Sequence, residues 1–273
     1  MKKELYIKDS NFGHCAFSNN PTPPVSFSKH IIWNRNEAPS GTDVICTDYQ
    51  LDKGNIAWLL EPHDINPAPY AYARQNANRY KEIWTHDKEF LNLPNAKWYP
   101  VGGCWLEVDE RKIYDKTKMF SIIASSKNQL PGHQLRHQII AAAGDKIDAF
   151  GPRYKQFVKN TMHKVEGLAD YRYHFAIENC RRDFYFTEKL IDTLMTGAIP
   201  IYWGCPSIGN FFNTDGFIIF NDLYDLKEKL KLCTPEYYDS KKAVIKENFD
   251  LAQNYILSED WIYNNILQNE KTI

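Results

Sequence analysis

The last two thirds of the chain alternate between short apolar runs and amphipathic segments. Phe120–Ala124, Tyr173–Ile177 and Ala198–Trp203 are rich in aromatic and aliphatic residues and predict strands. Between the last two, leucine, isoleucine and methionine recur at helical spacing and predict a helix over Thr187–Thr196. Its first residue is a good N-cap, and Gly197 follows its end. This order predicts the right-handed crossover of a doubly wound parallel sheet.

The first 110 residues carry a similar pattern. A helix is predicted over Tyr70–Tyr80, and the polar stretch Glu107–Lys118 is the best linker candidate. We therefore predict an amino-terminal α/β domain over residues 1–110 and a ligand-binding domain over residues 111–257. Within the second domain, Leu223–Leu232 and Pro235–Leu257 are predicted to be helices. Residues 258–273 would form a carboxy-terminal helix that either crosses back to the first domain or caps the second. The predicted strands of the first domain are Glu4–Lys8, His30–Asn34, Asp43–Thr47, Asn55–Leu60, Glu82–Thr85 and Lys97–Val101.

Polar and charged residues cluster where the strand over Tyr173–Ile177 should end. Ligands of doubly wound sheets bind beyond the carboxyl ends of the strands. Lys189 would stand in the first turn of the helix, where a cation is unfavourable unless an anion binds nearby. The pattern therefore indicates a phosphate site. The residues that map to this end are Asn179, Tyr185, Glu188 and Lys189.

Composition limits the function classes. The 273 residues carry a net charge of −1, which argues against binding nucleic acid or an anionic membrane by overall attraction. No apolar run of transmembrane length and no secretory signal is apparent. Six cysteines occur without a Cys-x-x-Cys pair, which favours free thiols in a reducing compartment over a zinc or redox site. We expect a cytoplasmic protein.

The segment Glu178–Ile208 closely resembles the signature of the α1,3-fucosyltransferases, glycosyltransferase family ten. The family pattern has a Phe-x-x-Glu-Asn-Ser start, a Tyr-Val-Thr-Glu-Lys helix entry and an Ile-Pro-Ile-Tyr-Trp-Gly strand. Cys180 and Phe186 stand where the family usually has Ser and Val, and Arg181–Asp183 replaces a stretch that is often rich in Gly and Tyr. A contiguous match of roughly forty residues is far more specific than a short motif. The contrast with membrane-anchored relatives suggests a soluble bacterial or viral member.

The resemblance implies a GT-B fold, in which two Rossmann-like domains face each other across a cleft. It also implies an inverting transferase that moves a sugar, most plausibly fucose, from a GDP-sugar to a glycan hydroxyl. Lys189 would bind the diphosphate, Glu188 would bind sugar or ribose hydroxyls, and Asn179 and Tyr185 would complete the donor site. Arg136, early in a helix that follows a Ser–Asn turn, would be the second cation on the diphosphate. Lys127, at the end of the preceding strand, is a weaker third candidate. His133 and His137 flank Arg136 and are expected to face solvent or to pack.

The proposed base belongs to the first domain. Inverting transfer needs a carboxylate to take the proton of the acceptor hydroxyl. Glu61 follows an apolar strand, in an order similar to the family's Gly-Glu-Asn segment. Asp64 and the pair His86 and Asp87 are the reserve candidates. No Asp-x-Asp pair follows a strand, so no metal or other cofactor is expected.

Two alternatives stay open from the sequence. The phosphate-binding residues do not recognise the sugar, so another nucleotide sugar could occupy the same site. A catalytically silent protein that binds nucleotide sugars or glycans would also fit, if Glu61 is not a base. Oligomeric state and acceptor identity are not encoded in these patterns.

Overall fold

The computed structural model describes residues 2–9, 27–155 and 164–268. The chain divides into two compact units, each built on its own parallel sheet. The first unit comprises Met1–Val101, Asp183–Tyr185 and Leu257–Ile273. The second comprises Gly102–Arg182 and Phe186–Ile256. The functional domain boundaries predicted after residues 110 and 257 stay predictions.

The regular elements are as follows in chain order. The strands are β1 (Lys3–Lys8), β2 (Ile31–Asn34), β3 (Val44–Thr47), β4 (Ile56–Trp58), β5 (Glu82–Thr85), β6 (Ala96–Trp98), β7 (Lys118–Ile123), β8 (Asp148–Phe150), β9 (Tyr171–Ile177), β10 (Ile199–Trp203) and β11 (Ile218–Ile219). The α-helices are α1 (Pro67–Gln75), α2 (Pro131–Ala143), α3 (Glu188–Leu194), α4 (Leu223–Lys229), α5 (Pro235–Ser240), α6 (Lys242–Ala252) and α7 (Ser258–Ile262).

The first unit contains a six-stranded sheet in the order β2-β1-β3-β4-β5-β6, with every pair parallel. Trp58, Trp84 and Tyr99 are fully buried, and the Trp58 ring contacts each of the other two edge to face. Ile262 of α7 and Ile266 pack into the same core. Aromatic rings of this size bury much apolar area and fix the spacing of the layers. These aromatic residues of the amino-terminal half are therefore core residues.

The second unit contains a five-stranded parallel sheet in the order β11-β10-β9-β7-β8. From β7 the chain runs through α2 to β8 on one side, and β9 then pairs with β7 on its other side. The strand order therefore reverses between β7 and β9, and a doubly wound sheet binds ligands at such a reversal. The predicted α/β class, with a parallel sheet in each half, is confirmed.

Three details differ from the sequence prediction. Strand β8 was not predicted, because three residues give too short an apolar run. The single helix expected over Pro235–Leu257 is wrong, since α5 and α6 are separate helices that meet at Lys241. Helix α1 begins before Tyr70, with Pro67 in its first turn, where proline is favoured.

Membrane-spanning helices and disulfides are both absent from the part of the chain that is described. None of the helices there combines enough length and apolarity to cross a bilayer. The cysteines there are buried thiols that form no disulfide, and Cys15 lies outside the described residues; the five are Cys46, Cys104, Cys180, Cys205 and Cys233.

Candidate functional site

A cavity of about 280 Å³ opens in the second unit at the carboxyl ends of β7 and β9. Its position is the reversal of strand order, where this class of sheet binds ligands. Its volume lies near the lower end of the range of roughly 300 to 1,000 Å³ typical of ligand sites. The polar side chains that line it are Ser125, Lys127, His133, Arg136, Lys164, His174, Asn179, Glu188, Lys189 and Asp192.

Glu178 organises the turn between β9 and α3, which carries part of the cavity lining. Its carboxylate is fully buried and accepts hydrogen bonds from the backbone N–H of Thr187 at 2.8 Å and from its hydroxyl at 2.7 Å. Thr187 in turn caps α3, as predicted, by accepting the N–H of Lys189. A buried carboxylate with this many partners fixes its surroundings. The loop is therefore held in one conformation from within the protein.

Arg136 is anchored on the other side of the cavity. It is only 4% exposed, and its guanidinium donates to the carbonyl oxygen of Ile177 at 2.6 Å and to Oδ1 of Asn179 at 3.0 Å. The planar guanidinium is rigid, so two anchored nitrogens fix the whole plane. The predicted donor residues Arg136 and Asn179 are thus bonded to each other.

Lys189 and Glu188 lie at the start of α3. The ammonium of Lys189 is 3.1 Å from Oε1 of Glu188 and 3.2 Å from the Thr187 hydroxyl. Burial alone would raise the pKa of Glu188, but the ammonium groups of Lys189 and Lys164 outweigh it and hold that pKa well below its usual value. Glu188 is therefore ionised over the whole physiological range.

Lys164 enters the cavity from the turn before β9. Its ammonium is 3.4 Å from Oε1 of Glu188 and 3.3 Å from Oδ2 of Asp192. It also lies 4.2 Å from the centre of the Trp105 ring. Burial opposes its charge, yet the two carboxylates raise the pKa of Lys164 above its ordinary value. Lys164 is therefore a charged side chain in a nearly enclosed position.

The cavity has a net positive charge. Among the described residues that line it, the side chains of Lys127, Arg136, Lys164 and Lys189 face two carboxylates. The histidines add little charge, because burial lowers the pKa of His133 to about 4 and of His174 to about 3. Cations in a partly buried cavity attract anions more strongly than exposed cations do. The arrangement suits a ligand with several negative charges.

Gly132 lets α2 approach the end of β9. Its backbone N–H donates to the carbonyl of Asn179 at 3.0 Å. A Cβ at this position would lie 1.7 Å from the carbonyl oxygen of Glu178 and 2.8 Å from its carbonyl carbon. Both are backbone atoms, so α2 itself would have to move away. The first turn of α2 and the arginine that it carries depend on this glycine.

We expect Gly132→Ala to destabilise the protein by about 1 to 3 kcal/mol, the usual cost of overpacking, and to weaken binding at the cavity by displacing Arg136. Urea unfolding and nucleotide titration measure the two effects. Gly209→Ala is the matched control, since its Cβ would make an ordinary 3.5 Å contact with Thr214. Equal stability of the two variants would contradict this account.

His174 is a buried residue of the cavity wall and is hydrogen-bonded to Ser121. The Ser121 hydroxyl donates to the carbonyl of Gly167 at 2.6 Å and contacts Nδ1 of His174 at 2.8 Å. Because the Ser121 hydroxyl donates its proton to Gly167, its oxygen can only accept a hydrogen bond from His174. Nδ1 of His174 therefore carries the proton of the neutral ring. Burial, followed by the nearby Lys164 and Lys116, lowers the pKa of His174 to about 3.

The depressed pKa of His174 makes stability depend on pH. Above the unfolded value of about 6.5 the ring is neutral in both states. As the pH falls toward 3, the unfolded chain takes up the proton first, so stability is lost. We expect a loss of about 2 kcal/mol from this residue between pH 7 and pH 5. Urea unfolding of wild type and His174→Asn at both pH values measures it, with the exposed His63→Asn as control; parallel losses in all three would refute it.

The other predicted site residues belong to the first unit. Glu61 follows β4, is partly buried, and its carbonyl accepts a hydrogen bond from the Tyr70 hydroxyl at 2.8 Å. Tyr185 is 2% exposed and lies 5.1 Å, centre to centre, from the His86 ring. The structure thus gathers Arg136, Asn179, Glu188 and Lys189 around one cavity; the roles of Glu61 and Tyr185 stay predictions.

The reserve bases differ in exposure. Asp64 is exposed, whereas His86 is 1% and Asp87 is 6% exposed. The Asp87 carboxylate accepts the backbone N–H of Glu89 at 2.9 Å and so caps a turn. A base must reach the hydroxyl proton that it removes. Accessibility therefore favours Glu61 and Asp64 over the buried pair.

Sequence reasoning named Lys127 only as a third candidate cation and left five polar residues of the cavity unassigned: Ser125, His133, Lys164, His174 and Asp192. Asp192 could have been found, because it lies one helical turn after Glu188 and so on the same face of α3. His133 was expected to face solvent or to pack, and it is buried in the cavity wall. No sequence pattern pointed to Lys164, since its partners lie 24 and 28 residues away along the chain.

Clusters of three or more His, Cys, Asp or Glu that could hold a metal ion do not occur within residues 2–9, 27–155 and 164–268. The expectation that no metal is needed stays a prediction.

Comparison with known proteins places these residues in a family. The model of "Glycosyltransferase family 10 (fucosyltransferase) C-term" matches residues 113–261, more than half of the chain. The α-(1,3)-fucosyltransferase FucT of Helicobacter pylori is 29% identical over 107 residues, which cover 39% of this chain and 22% of that protein. GDP-fucose protein O-fucosyltransferase 3 of Bos taurus is 46% identical over 44 residues, 16% of this chain and 9% of that protein.

The match to these relatives is partial: the matched segments span about a quarter or less of their lengths. A crystal structure of an α1,3-fucosyltransferase with GDP aligns over 99% of this chain and 90% of its own, with a TM-score of 0.59 and 16% identity. That likeness shows the fold, and the predicted GT-B class is confirmed. The cavity lies within the matched region apart from Trp105. The chain belongs to glycosyltransferase family 10, the fucosyltransferase family.

Proposed function

We propose that this protein is an inverting glycosyltransferase that moves fucose from GDP-fucose to a hydroxyl of a glycan, in the manner of an α1,3-fucosyltransferase. The cavity of the second unit carries the proposal, because it gathers Arg136, Asn179, Glu188 and Lys189 around one positively charged space. The relatives support the donor: one is named a GDP-fucose protein O-fucosyltransferase, and one related fold was solved with GDP.

The cations would act on the leaving group. When the bond between the anomeric carbon and the phosphate oxygen breaks, its electron pair stays on the GDP and negative charge grows there. Lys189 and the anchored guanidinium of Arg136 would stabilise that charge, and fixed donors do so without reorganising. We infer that these cations make a divalent metal unnecessary, as expected from the sequence.

Glu61 would act on the acceptor. As the acceptor oxygen forms its bond to the anomeric carbon, Glu61 would take the hydroxyl proton. The acceptor oxygen therefore ends neutral, and the negative charge leaves with the GDP. Attack from the face opposite the phosphate inverts the anomeric configuration. Asn179 and Tyr185 are proposed as further donor-binding residues, and Glu188 as the group that accepts hydrogen bonds from sugar or ribose hydroxyls.

We also propose that the protein works in the cytoplasm and is of the bacterial or viral type. Five buried cysteines in the described residues that form no disulfide support a reducing compartment. The proposed partners are the GDP-sugar and a glycan acceptor, without nucleic acid. The linkage formed and the acceptor follow only from the family likeness.

Calorimetric titration with GDP, GDP-fucose, GDP-mannose and UDP-glucose tests the proposed function. We expect GDP and GDP-fucose to bind and UDP-glucose not to bind. Incubation with GDP-fucose should also release GDP, through transfer or slow hydrolysis. Binding of the uridine nucleotide alone, or of none, would reject the proposal. Donor binding with no turnover on any glycan of an acceptor panel would support the catalytically silent alternative.

A further inference from the structure

Lys164 stands between two carboxylates that the fold forces together. Glu188 and Asp192 are one turn apart on α3, so their side chains share one face of the helix. Two like charges at this spacing repel each other, and more strongly when water is excluded. Asp192 is 1% exposed. The ammonium of Lys164 lies within 3.4 Å of both carboxylates and offsets the repulsion.

The surroundings hold Lys164 in that position. Its ammonium lies over the face of the Trp105 ring at 4.2 Å, a favourable place for a cation. The backbone N–H of Trp105 donates to Oδ1 of Asp192 at 2.7 Å. The same tryptophan therefore contacts the lysine by its ring and the aspartate by its backbone. The group is a built cluster rather than a chance approach of surface charges.

The cluster bears directly on Lys189. Oε1 of Glu188 is 3.1 Å from the ammonium of Lys189 and 3.4 Å from that of Lys164. One carboxylate is thus shared by two lysines. If Lys164 were absent, Glu188 would be left to Lys189 alone, and Asp192 would add an uncompensated negative charge to the cavity wall. Both changes would weaken the attraction of Lys189 for an anion.

We propose that Lys164 is a positioning residue, which neutralises the Glu188 and Asp192 carboxylates so that the charge of Lys189 remains available to the diphosphate. This inference rests on the proposed function, since it assumes that the cavity binds a nucleoside diphosphate. Lys164 acts through Glu188 and Asp192 and need not touch the ligand.

A charge-balanced double variant separates this role from direct contact. We expect Lys164→Met to weaken GDP binding about 10-fold, within the coupling seen between neighbouring charged residues, and to leave guanosine binding unchanged. Lys164→Met/Asp192→Asn removes one charge of each sign and should recover GDP affinity to within about 3-fold of wild type. Calorimetry with GDP and with guanosine gives both affinities.

Lys241→Met is the matched control, because Lys241 also lies over an aromatic ring, that of Tyr237 at 5.2 Å, in the same unit. Wild-type affinity in Lys164→Met would overturn the inference, as would a double variant no better than the single one, which would indicate direct contact with the phosphates. Equal loss of guanosine and GDP would also overturn it, since that is the mark of a structural defect.

Folding and the proposed function are checked in the same series. Circular dichroism melting shows whether each variant folds. If Lys164→Met does not fold, the double variant decides alone: near wild-type GDP affinity supports the inference and lost affinity overturns it. Failure of wild type to bind GDP would reject the proposed function itself, whereas wild-type binding with an unaffected Lys164→Met would reject only the role of Lys164.

Discussion

Replacing Lys189 with alanine is expected to weaken GDP binding about 10- to 100-fold, the value of one charged hydrogen bond. Transfer should slow by a further 10²- to 10³-fold, roughly the loss seen when one preorganised donor to a developing anion is removed. The reason is electrostatic: Lys189 is a part-buried cation on the cavity wall, and the charge on a departing diphosphate grows as its bond to the sugar breaks.

Lys189 is a cleaner test than Arg136. Removing the Arg136 guanidinium would also leave the Ile177 carbonyl and Asn179 Oδ1 without that donor, so binding and folding would change together. Lys189→Ala removes one of the two ammonium groups beside Glu188, but Lys164 stays 3.4 Å from the same carboxylate oxygen and alanine is well tolerated in a helix, so the melting temperature should fall less than in an Arg136 variant. Lys246→Ala, an exposed lysine on α6 of the same unit, is the control. Unchanged GDP affinity in Lys189→Ala would remove Lys189 from the site.

Glu61→Gln is expected to lower kcat by about 10² to 10⁴, the usual contribution of a general base, with little change in GDP affinity. Glutamine keeps the size of the side chain but cannot take a proton. Glu61 is only partly buried, and its carbonyl is already held by Tyr70, so the fold should tolerate the change. Steady-state transfer rates, paired with GDP calorimetry, separate catalysis from donor binding.

The reserve carboxylates provide the comparison for Glu61. Asp64→Asn and Asp87→Asn should keep most of the transfer rate if Glu61 is the base. A variant Glu61→Gln that keeps more than about a tenth of the wild-type rate, beside an inactive Asp64→Asn, would move the role to Asp64. Asp87→Asn should also keep its stability, since the amide oxygen of asparagine can still accept the N–H of Glu89.

The strands were predictable because central strands of a parallel sheet are buried on both faces and so appear as continuous apolar runs. Tyr173–Ile177 and Ala198–Trp203 both match observed strands closely. Strand β8 has only three residues, which are too few to show a continuous apolar run. The break between α5 and α6 was missed because Lys241 is as compatible with a helix interior as with its end.

Part of the cavity was predictable for a related reason. Residues that follow a parallel strand share one edge of the sheet, so Asn179, Glu188 and Lys189 could be expected together from order alone. Arg136 followed from the family resemblance, which implies an arginine early in the helix after the preceding strand. Lys164 could not be placed, because its contacts join a turn before β9 to a helix after it. No local pattern encodes such a contact.

The sequence by itself determined the class of the fold, the family signature and the segments that carry the main cationic residues. Hydrophobic periodicity and residue spacing are properties of the linear chain, so they can be observed before it folds. Only the tertiary structure decided how those charges balance. Folding brings Lys164 between Glu188 and Asp192, seats Gly132 against the backbone of Glu178, and buries His174 as a neutral ring. Charge, burial and close approach depend on distances through space, and distances across a sheet exist only after the chain has folded.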